Sequence, residues 1–517
     1  MKKLTFLLSV VVWLMAMPVM AYDTYTENGV TYTKDGDIAK VTAASGASGD
    51  VVIKGEVEIG GNNYYVTVIN TEAFQNNTNI TKVTIPNDVT LLCEKAFQGC
   101  TGLTEIVFNE WEGKGGITEL YQYMFDGCTN LTKVNVPGGV TKIHNQVFNN
   151  CSNLTTVSIP STCTEIGSYA FFGCTDLSGI ELPAVEKLND HAFKGSGLAS
   201  IYLPSTIKDL GTWTFEGCTA LKYVKLPTSV SLIGQGVFYG CSGLEFITIP
   251  ASVNHFGENV FEGCTALRSF YYLGTSFPIT FENGNIFFGI ENGEDKRPKI
   301  YTKPGYDDDM QSSLNGKCDW LKSFVSDEIP YTPAKEYTTF CRDFDVDFSA
   351  ATGLKAGVAL SSTLDEGKLT FTMKSSVPAG TGVLLKGTAG ATYTLKIAES
   401  APAAVGGNLM KGVVCPTAIS QIDGGNTNFV LNGGVFKKVS ANNNTLAAGK
   451  AYLQLPNTSS AREISFIFDD ETTGISATLY DKGQMTNDKA IYNLNGQRAA
   501  QPTKGMYIIN GNKVIVK

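Results

Sequence analysis

From Ala96 to Phe108 the chain reads AFQGCTGLTEIVF; it reads AFFGCTDLSGIEL from Ala170 and TFEGCTALKYVKL from Thr214. Aligned on the aromatic, the phrase recurs at Phe74, Phe97, Phe125, Phe148, Phe171, Phe193, Phe215, Phe238 and Phe261, with steps of 23, 28, 23, 23, 22, 22, 23 and 23 residues. A fixed period of this size is the mark of a stacked repeat protein, in which no single unit buries its own apolar face.

Each position in the unit has a physical role. Eight residues before the phenylalanine stands an apolar residue (Val66, Val89, Val140, Cys163, Val185, Ile207, Val230, Val253), and five before it another (Ile69, Leu92, Ile143, Ile166, Leu188, Leu210, Ile233, Phe256). Four before it stand Asn70, Cys93, His144, Gly167, Asn189, Gly211, Gly234 and Gly257. Most of these residues tolerate positive φ, so the backbone is expected to turn there, with Cys93 and His144 as imperfect fits. After the phenylalanine, Leu131, Val134 and Val136, or Leu154, Val157 and Ile159, alternate as a half-buried strand does, and a proline closes most copies.

Seven of the twelve cysteines (Cys100, Cys128, Cys151, Cys174, Cys218, Cys241, Cys264) fall three residues after the phenylalanine, and Ser196 takes that slot once. Equivalent side chains on stacked coils point the same way, seven is odd, and no C-x-x-C pair suggests zinc. The expectation is an inward ladder of reduced thiols, with no metal and no cofactor.

A formal net charge of -9 argues against nucleic acid and anionic lipid as partners, since both need a basic footprint. Lys2 and Lys3 precede the apolar run LTFLLSVVVWLMAM and a small-residue cleavage site ending at Ala21, so residues 1–21 read as a signal peptide. No other stretch approaches a membrane span, and no cysteine beside Ala21 could carry a lipid. Export to the cell surface or the extracellular space is expected.

The phrase I-x-x-x-A-F-x-G-C-T-x-L-T-x-V-x-I-P resembles the BspA-type leucine-rich repeat of surface proteins from anaerobic gut and mouth bacteria. That resemblance implies an adhesin-like protein that binds protein ligands such as host extracellular-matrix proteins, host cells or other bacteria. The expected fold is mainly β: a right-handed leucine-rich-repeat solenoid of about nine coils of 22–23 residues, then a β-sandwich-like domain and a small C-terminal β-hairpin module. The expected division is a signal peptide at 1–21, an N-terminal β cap at 22–65, repeats at 66–274 and a C-terminal solenoid cap at 275–330. A β-sandwich-like domain at 331–471, a linker at 472–489 and a β module at 490–517 complete it.

Within that frame NEWEGKGG, Asn109 to Gly116, reads as a bulged loop, and Phe287 and Phe288 as a decayed tenth copy. Asp307 to Asp309 lack calcium-loop spacing and suit a helix N-terminus. Asn495-Gly496 and Asn510-Gly511 are hairpin signals, and the tail resembles a shortened sorting domain of the type IX secretion pathway.

The chain reads as no enzyme. G-x-S-x-G and H-E-x-x-H are absent, His144, His191 and His255 sit at variable repeat positions expected at the surface, and Asp343, Asp345 and Asp347 read as solvated strand charges. Three readings stand: a protein-binding solenoid, a glycan-binding surface protein using the 331–471 domain, and a structural surface component without a specific ligand. Outward strand positions form two rows, and Tyr202, Tyr223, Lys225, Phe246 and Tyr271 gather aromatics at the last coils. That patch is the expected ligand-binding site, unless the following cap or domain covers it.

Overall fold

The computed structural model describes most of residues 23–468 and three strands within 491–516; residues 1–22, 110–115 and 469–490 are among those outside the description. The expected signal peptide, the expected 472–489 linker and nearly all of NEWEGKGG therefore lie outside the described residues.

The chain is mainly β and winds into a solenoid of about eleven turns with repeats of about 23 residues. One parallel ladder runs through eight short strands from Glu119–Leu120 to Thr280–Phe281. A second row begins Gly49–Val52, Ile80–Ile85, Glu105–Phe108, Lys133–Asn135 and Thr156–Ser158, then breaks. Gly179, a poor strand former, occupies a strand slot of the interrupted coil. The row resumes at Ser200–Tyr202 and Tyr223–Lys225, and again from Phe246–Ile249 and Ser269–Tyr272 to Lys299–Tyr301 and Val325–Ser326. Parallel pairing thus extends past residues 66–274 in both directions.

The core is a column of phenylalanines. Phe148, Phe171 and Phe193 stack with centroids 5.2 Å apart, and Phe287 continues the column 5.6 Å beyond Phe261. Each ring is fully buried.

Positive φ is not found four residues before the phenylalanine, where it was expected. It falls two before, at Glu72, Lys95, Tyr123, Gln146, Tyr169, His191, Trp213, Gly236 and Asn259, and two after, at residues such as Asn76, Gly99 and Gly127. The earlier glycines answer a different demand. A methyl group on Gly167 would lie 2.5 Å from the His144 carbonyl carbon, and one on Gly257 would lie 2.4 Å from the Gln235 nitrogen. Coils approach too closely there for any Cβ. Bulky residues in the left-handed region cost about 1 kcal/mol or more each. The turned peptides recover part of it by bonding to the next coil, as in Trp213 N–H to the Gln235 carbonyl at 2.7 Å.

The seven ladder thiols are buried and free. Each donates to the carbonyl of the phenylalanine one coil back, for example Cys174 Sγ to Phe148 O at 3.1 Å and Cys264 Sγ to Phe238 O at 3.0 Å. Burial pushes Cys218 up to about 11 and Cys151 and Cys241 well above the ordinary 9.0. The folded state therefore holds protons that the unfolded chain releases above pH 9, so stability falls as pH rises from 9 through 11. We expect a thiol reagent to label these cysteines only in denaturant, and the melting temperature to drop steadily over that pH range. Labelling under native conditions, or mass-spectrometric disulfides between successive coils, would contradict the ladder.

A helix at Asp307–Ser313 carries its three aspartates in the first turn, where they meet the positive end of the helix dipole. Mainly antiparallel sheets follow, with one parallel pair between Lys368–Met373 and Glu463–Phe468. One has four strands, ordered Ile329–Tyr331, Tyr393–Ile397, Val346–Asp347 and Ser376–Val377. A ten-stranded sheet folds around Leu369, Phe371, Phe429, Phe436, Leu453 and Phe468. At the tail, Ile491–Asn493, Gly505–Ile509 and Asn512–Val516 form an antiparallel sheet in which Ile509 pairs with Asn512. Both Asn-Gly signals, Asn495-Gly496 and Asn510-Gly511, lie outside the described residues.

Candidate functional site

The two outward rows are in register. Thr84 pairs with Val107, Asn135 with Ser158, Ser200 with Tyr223, Tyr202 with Lys225, and Thr248 with Tyr271. Parallel pairing joins the Tyr202 strand to the Tyr223–Lys225 strand and the Phe246 strand to the Tyr271 strand, and ring contacts carry the group across the break between the two pairs. Tyr202 meets Tyr223 edge-on at 6.2 Å, Tyr223 lies 5.5 Å from Phe246, and Phe246 lies 6.5 Å from Tyr271.

They do not share one environment. Tyr202 is 46% exposed, whereas Tyr223 and Tyr271 are 1% and 5% exposed. Lys225 and Phe246 are intermediate. The C-terminal sheets cause the difference. Tyr271 stacks on Tyr301 at 5.2 Å and packs against Phe344 at 4.7 Å, and both tyrosines belong to one apolar cluster with Phe340, Phe348 and Leu385. Tyr223 Oη donates to Asp343 at 3.1 Å, and Thr248 Oγ1 donates to the other oxygen of the same carboxylate at 2.8 Å. An open aromatic patch is therefore corrected to a mostly covered one, with Tyr202 at its margin.

The other half of the strand face is open and mostly polar, with Val52, 71% exposed, beside Thr84 in its first coil. Lys133, Asn135, Thr156 and Ser158 are exposed, and Lys82 pairs with Glu105 at 2.9 Å across neighbouring coils. Thr104, Thr132 and Thr155 each donate to a threonine carbonyl one coil back, at 2.9 to 3.1 Å, which fixes their side chains.

Three aspartates read as solvated charges prove to be structural acceptors. Besides Asp343, Asp345 accepts the Ala379 N–H at 2.8 Å, and Asp347 accepts the N–H and hydroxyl of Ser349 at 2.8 and 2.9 Å. The histidines are half-buried rather than on the surface. His144 Nε2 lies 2.8 Å from Glu119, and His191 is sandwiched between Tyr169 at 4.5 Å and Trp213 at 6.4 Å. Burial holds His191 below the usual histidine range, with Lys194 adding to the effect. Among the described residues, no group of three or more His, Cys, Asp or Glu side chains is placed to hold a metal ion.

The sequence reading missed this aromatic column. It lies at the left-handed position, and Gly236 makes room for it: a Cβ there would lie 2.2 Å from Trp213 Cε3. Its signal was the run Tyr123, Gln146, Tyr169, His191, Trp213 two residues before each phenylalanine.

The BspA type leucine rich repeat region matches the chain in six copies, over residues 67–198 and 142–268. No curated protein matches the chain. Among solved structures, the chain is 22% identical to a leucine-rich repeat protein from Bacteroides ovatus, over 54% of this chain and 99% of that one, with a TM-score of 0.28. A Treponema pallidum (T. pallidum) leucine rich repeat protein is 26% identical over 47% of this chain and 90% of its own, with a TM-score of 0.32. A leucine rich cell surface protein from Faecalibacterium prausnitzii is 21% identical over 57% and 97%, with a TM-score of 0.27. The period, the phenylalanine column and the matched residues agree, and the solenoid over residues 67–268 is a BspA type leucine-rich repeat region.

Proposed function

We propose that this is an exported, adhesin-like protein whose solenoid takes a protein ligand across the open half of its strand face. The contact would run from the first coils to Tyr202 and Lys225 at the edge of the C-terminal sheets. The observation that supports this reading is the change along the stacked strand face: mostly polar and open before Tyr202, aromatic and largely covered after it. A rigid array of side chains at fixed strand spacing presents a wide surface with little ordering entropy left to lose. Tyr202 supplies the exposed aromatic that dominates such contacts, and Lys225 a neighbouring charge.

Export rests on the sequence of residues 1–21 and on the tail. No helix among the described residues is long and apolar enough to cross a membrane. The three strands near the C-terminus fit a small module resembling a sorting domain. Deleting residues 490–517 should leave the repeats folded and lower delivery to the cell surface; unchanged display would count against a sorting role.

The test of binding is capture of the full chain on immobilised fibronectin, laminin and collagen. Tyr202→Ala with Lys225→Gln should weaken capture by about 2 kcal/mol while the melting temperature stays nearly constant, since both side chains lie outside the core. Capture equal to that of the parent chain would remove Tyr202 and Lys225 from the site. Capture on none of the three supports would favour a purely structural surface component.

A further inference from the structure

The ten-stranded sheet brings two cations together where its ends meet. Tyr337–Phe340 is the first strand in its order and Lys450–Pro456 the last but one, yet the two lie in contact, and the Cys341 N–H donates to the Gly449 carbonyl at 3.0 Å. Arg342 follows the first of these strands and Lys450 opens the other, both half-buried. The Arg342 guanidinium lies over Gly449, where a Cβ would stand 2.6 Å from Nη1, so glycine makes room for it. Arg342 Cζ sits 4.9 Å from the Phe340 ring centroid. Lys450 Nζ donates to Thr338 Oγ1 at 3.5 Å, and that hydroxyl donates in turn to the Thr339 carbonyl at 3.4 Å.

No carboxylate balances this pair. Arg342 rests on a ring face and Lys450 on a neutral hydroxyl, and among the described residues neither forms an ion pair. Burial and then the Arg342 charge hold Lys450 below the usual lysine range, with no acid acting against them. Asp343, next in sequence to Arg342, gives its two oxygens to the hydroxyls of Tyr223 and Thr248. Burial pushes the Cys341 thiol up to about 12; Asp343 adds to the rise, and Arg342 and Lys225 oppose it. Asp343 and Lys225 therefore offset one another, and Arg342 and Lys450 remain as two unneutralised charges. Like charges held together out of water repel, and an anion between them removes that cost.

We propose that Arg342 and Lys450 together bind a phosphate dianion. The guanidinium fork takes two of its oxygens, and the ammonium acts as a point charge on a third. Charge selects this ligand. A carboxylate or a phosphodiester would neutralise one cation and leave the other, whereas inorganic phosphate or a phosphate monoester carries close to two negative charges at neutral pH. A pair that offers only donors and positive charge excludes a cation. The site belongs to the C-terminal sheets and does not rest on the solenoid reading.

The probe is inorganic phosphate, titrated calorimetrically into the full chain at low salt, since salt screens charged contacts near the surface. Binding is expected at pH 7.5 and should weaken several-fold at pH 5, below the second phosphate pKa of about 6, where the ligand becomes a monoanion. Acetate should not bind. Saturating phosphate should also raise the melting temperature. Lys450→Gln should weaken binding at least tenfold and abolish that rise without lowering the melting temperature of the unliganded chain, and Tyr202→Ala should leave binding intact. If Lys450→Gln fails to fold, Arg342→Lys, which keeps the charge and loses the fork, should still bind several-fold more weakly. Glucose 6-phosphate binding more tightly than phosphate would place the anion on a sugar; equal or weaker binding would make the free ion the ligand. No binding by the parent chain, undiminished binding by the variants, equal binding at pH 5, or acetate binding as tightly as phosphate would each overturn the proposal.

Discussion

Phe171→Ala is expected to lower the stability of the solenoid by about 3–5 kcal/mol, the usual loss for a fully buried aromatic in a core that cannot collapse around the gap. Phe171 has no exposed surface and stacks between Phe148 and Phe193, each 5.2 Å away. Its backbone N–H is bonded to the Ala192 carbonyl at 2.8 Å, which ties the ring's position to the next coil. The coils are locked at their hydrogen-bonding distance, so the neighbouring rings cannot close the space. Chemical unfolding should show the loss as an earlier midpoint for the repeats. A shift no larger than that of an exposed substitution such as Tyr202→Ala, within about 0.5 kcal/mol, would mean the column is not the core.

Tyr271→Ala should have a comparable effect for a different reason, lowering stability by about 3 kcal/mol or more. The ring is buried between Tyr301 of the solenoid and Phe344 of the following sheets, in a cluster that both parts share. Its loss should loosen the C-terminal sheets from the last coils, so that proteolysis after the solenoid accelerates. Asp343→Ala should act in the same direction by about 1–3 kcal/mol, because the hydroxyls of Tyr223 and Thr248 lose their shared acceptor. If both variants melt like the parent and resist protease equally, the two parts are not held together by this face.

The period of the sequence was enough to place the phenylalanine column, the thiol ladder and the registered outward rows, because stacking turns a repeat directly into a column. The glycines show where that reasoning runs out. A glycine needed for positive φ and one needed because no Cβ fits look alike in sequence. Only the approach of His144 to Gly167, or of Gln235 to Gly257, separates them. The left-handed positions were hidden for the converse reason, since Tyr123, Tyr169 and Trp213 are residues that rarely adopt them.

The fate of the aromatic patch depended on contacts far along the chain. Tyr223 is covered through Asp343, 120 residues later, and nothing in the repeat encodes that meeting. The aspartates of CRDFDVDF look alike as letters, yet each bonds a different neighbour: a solenoid tyrosine and threonine, the Ala379 amide, and Ser349. Local alternation assigned all three to one strand, but only Asp347 lies in one, Val346–Asp347, and the alternation left their partners open.

The central claim is that one face of the solenoid changes from open to covered at Tyr202. Tyrosine nitration of the folded full chain, mapped by mass spectrometry, tests it most directly. Tyr202 should react rapidly, while Tyr223 and Tyr271 stay unmodified until the chain is denatured. Equal nitration of all three under native conditions would contradict the account, because it would leave the aromatic end of the face open to solvent.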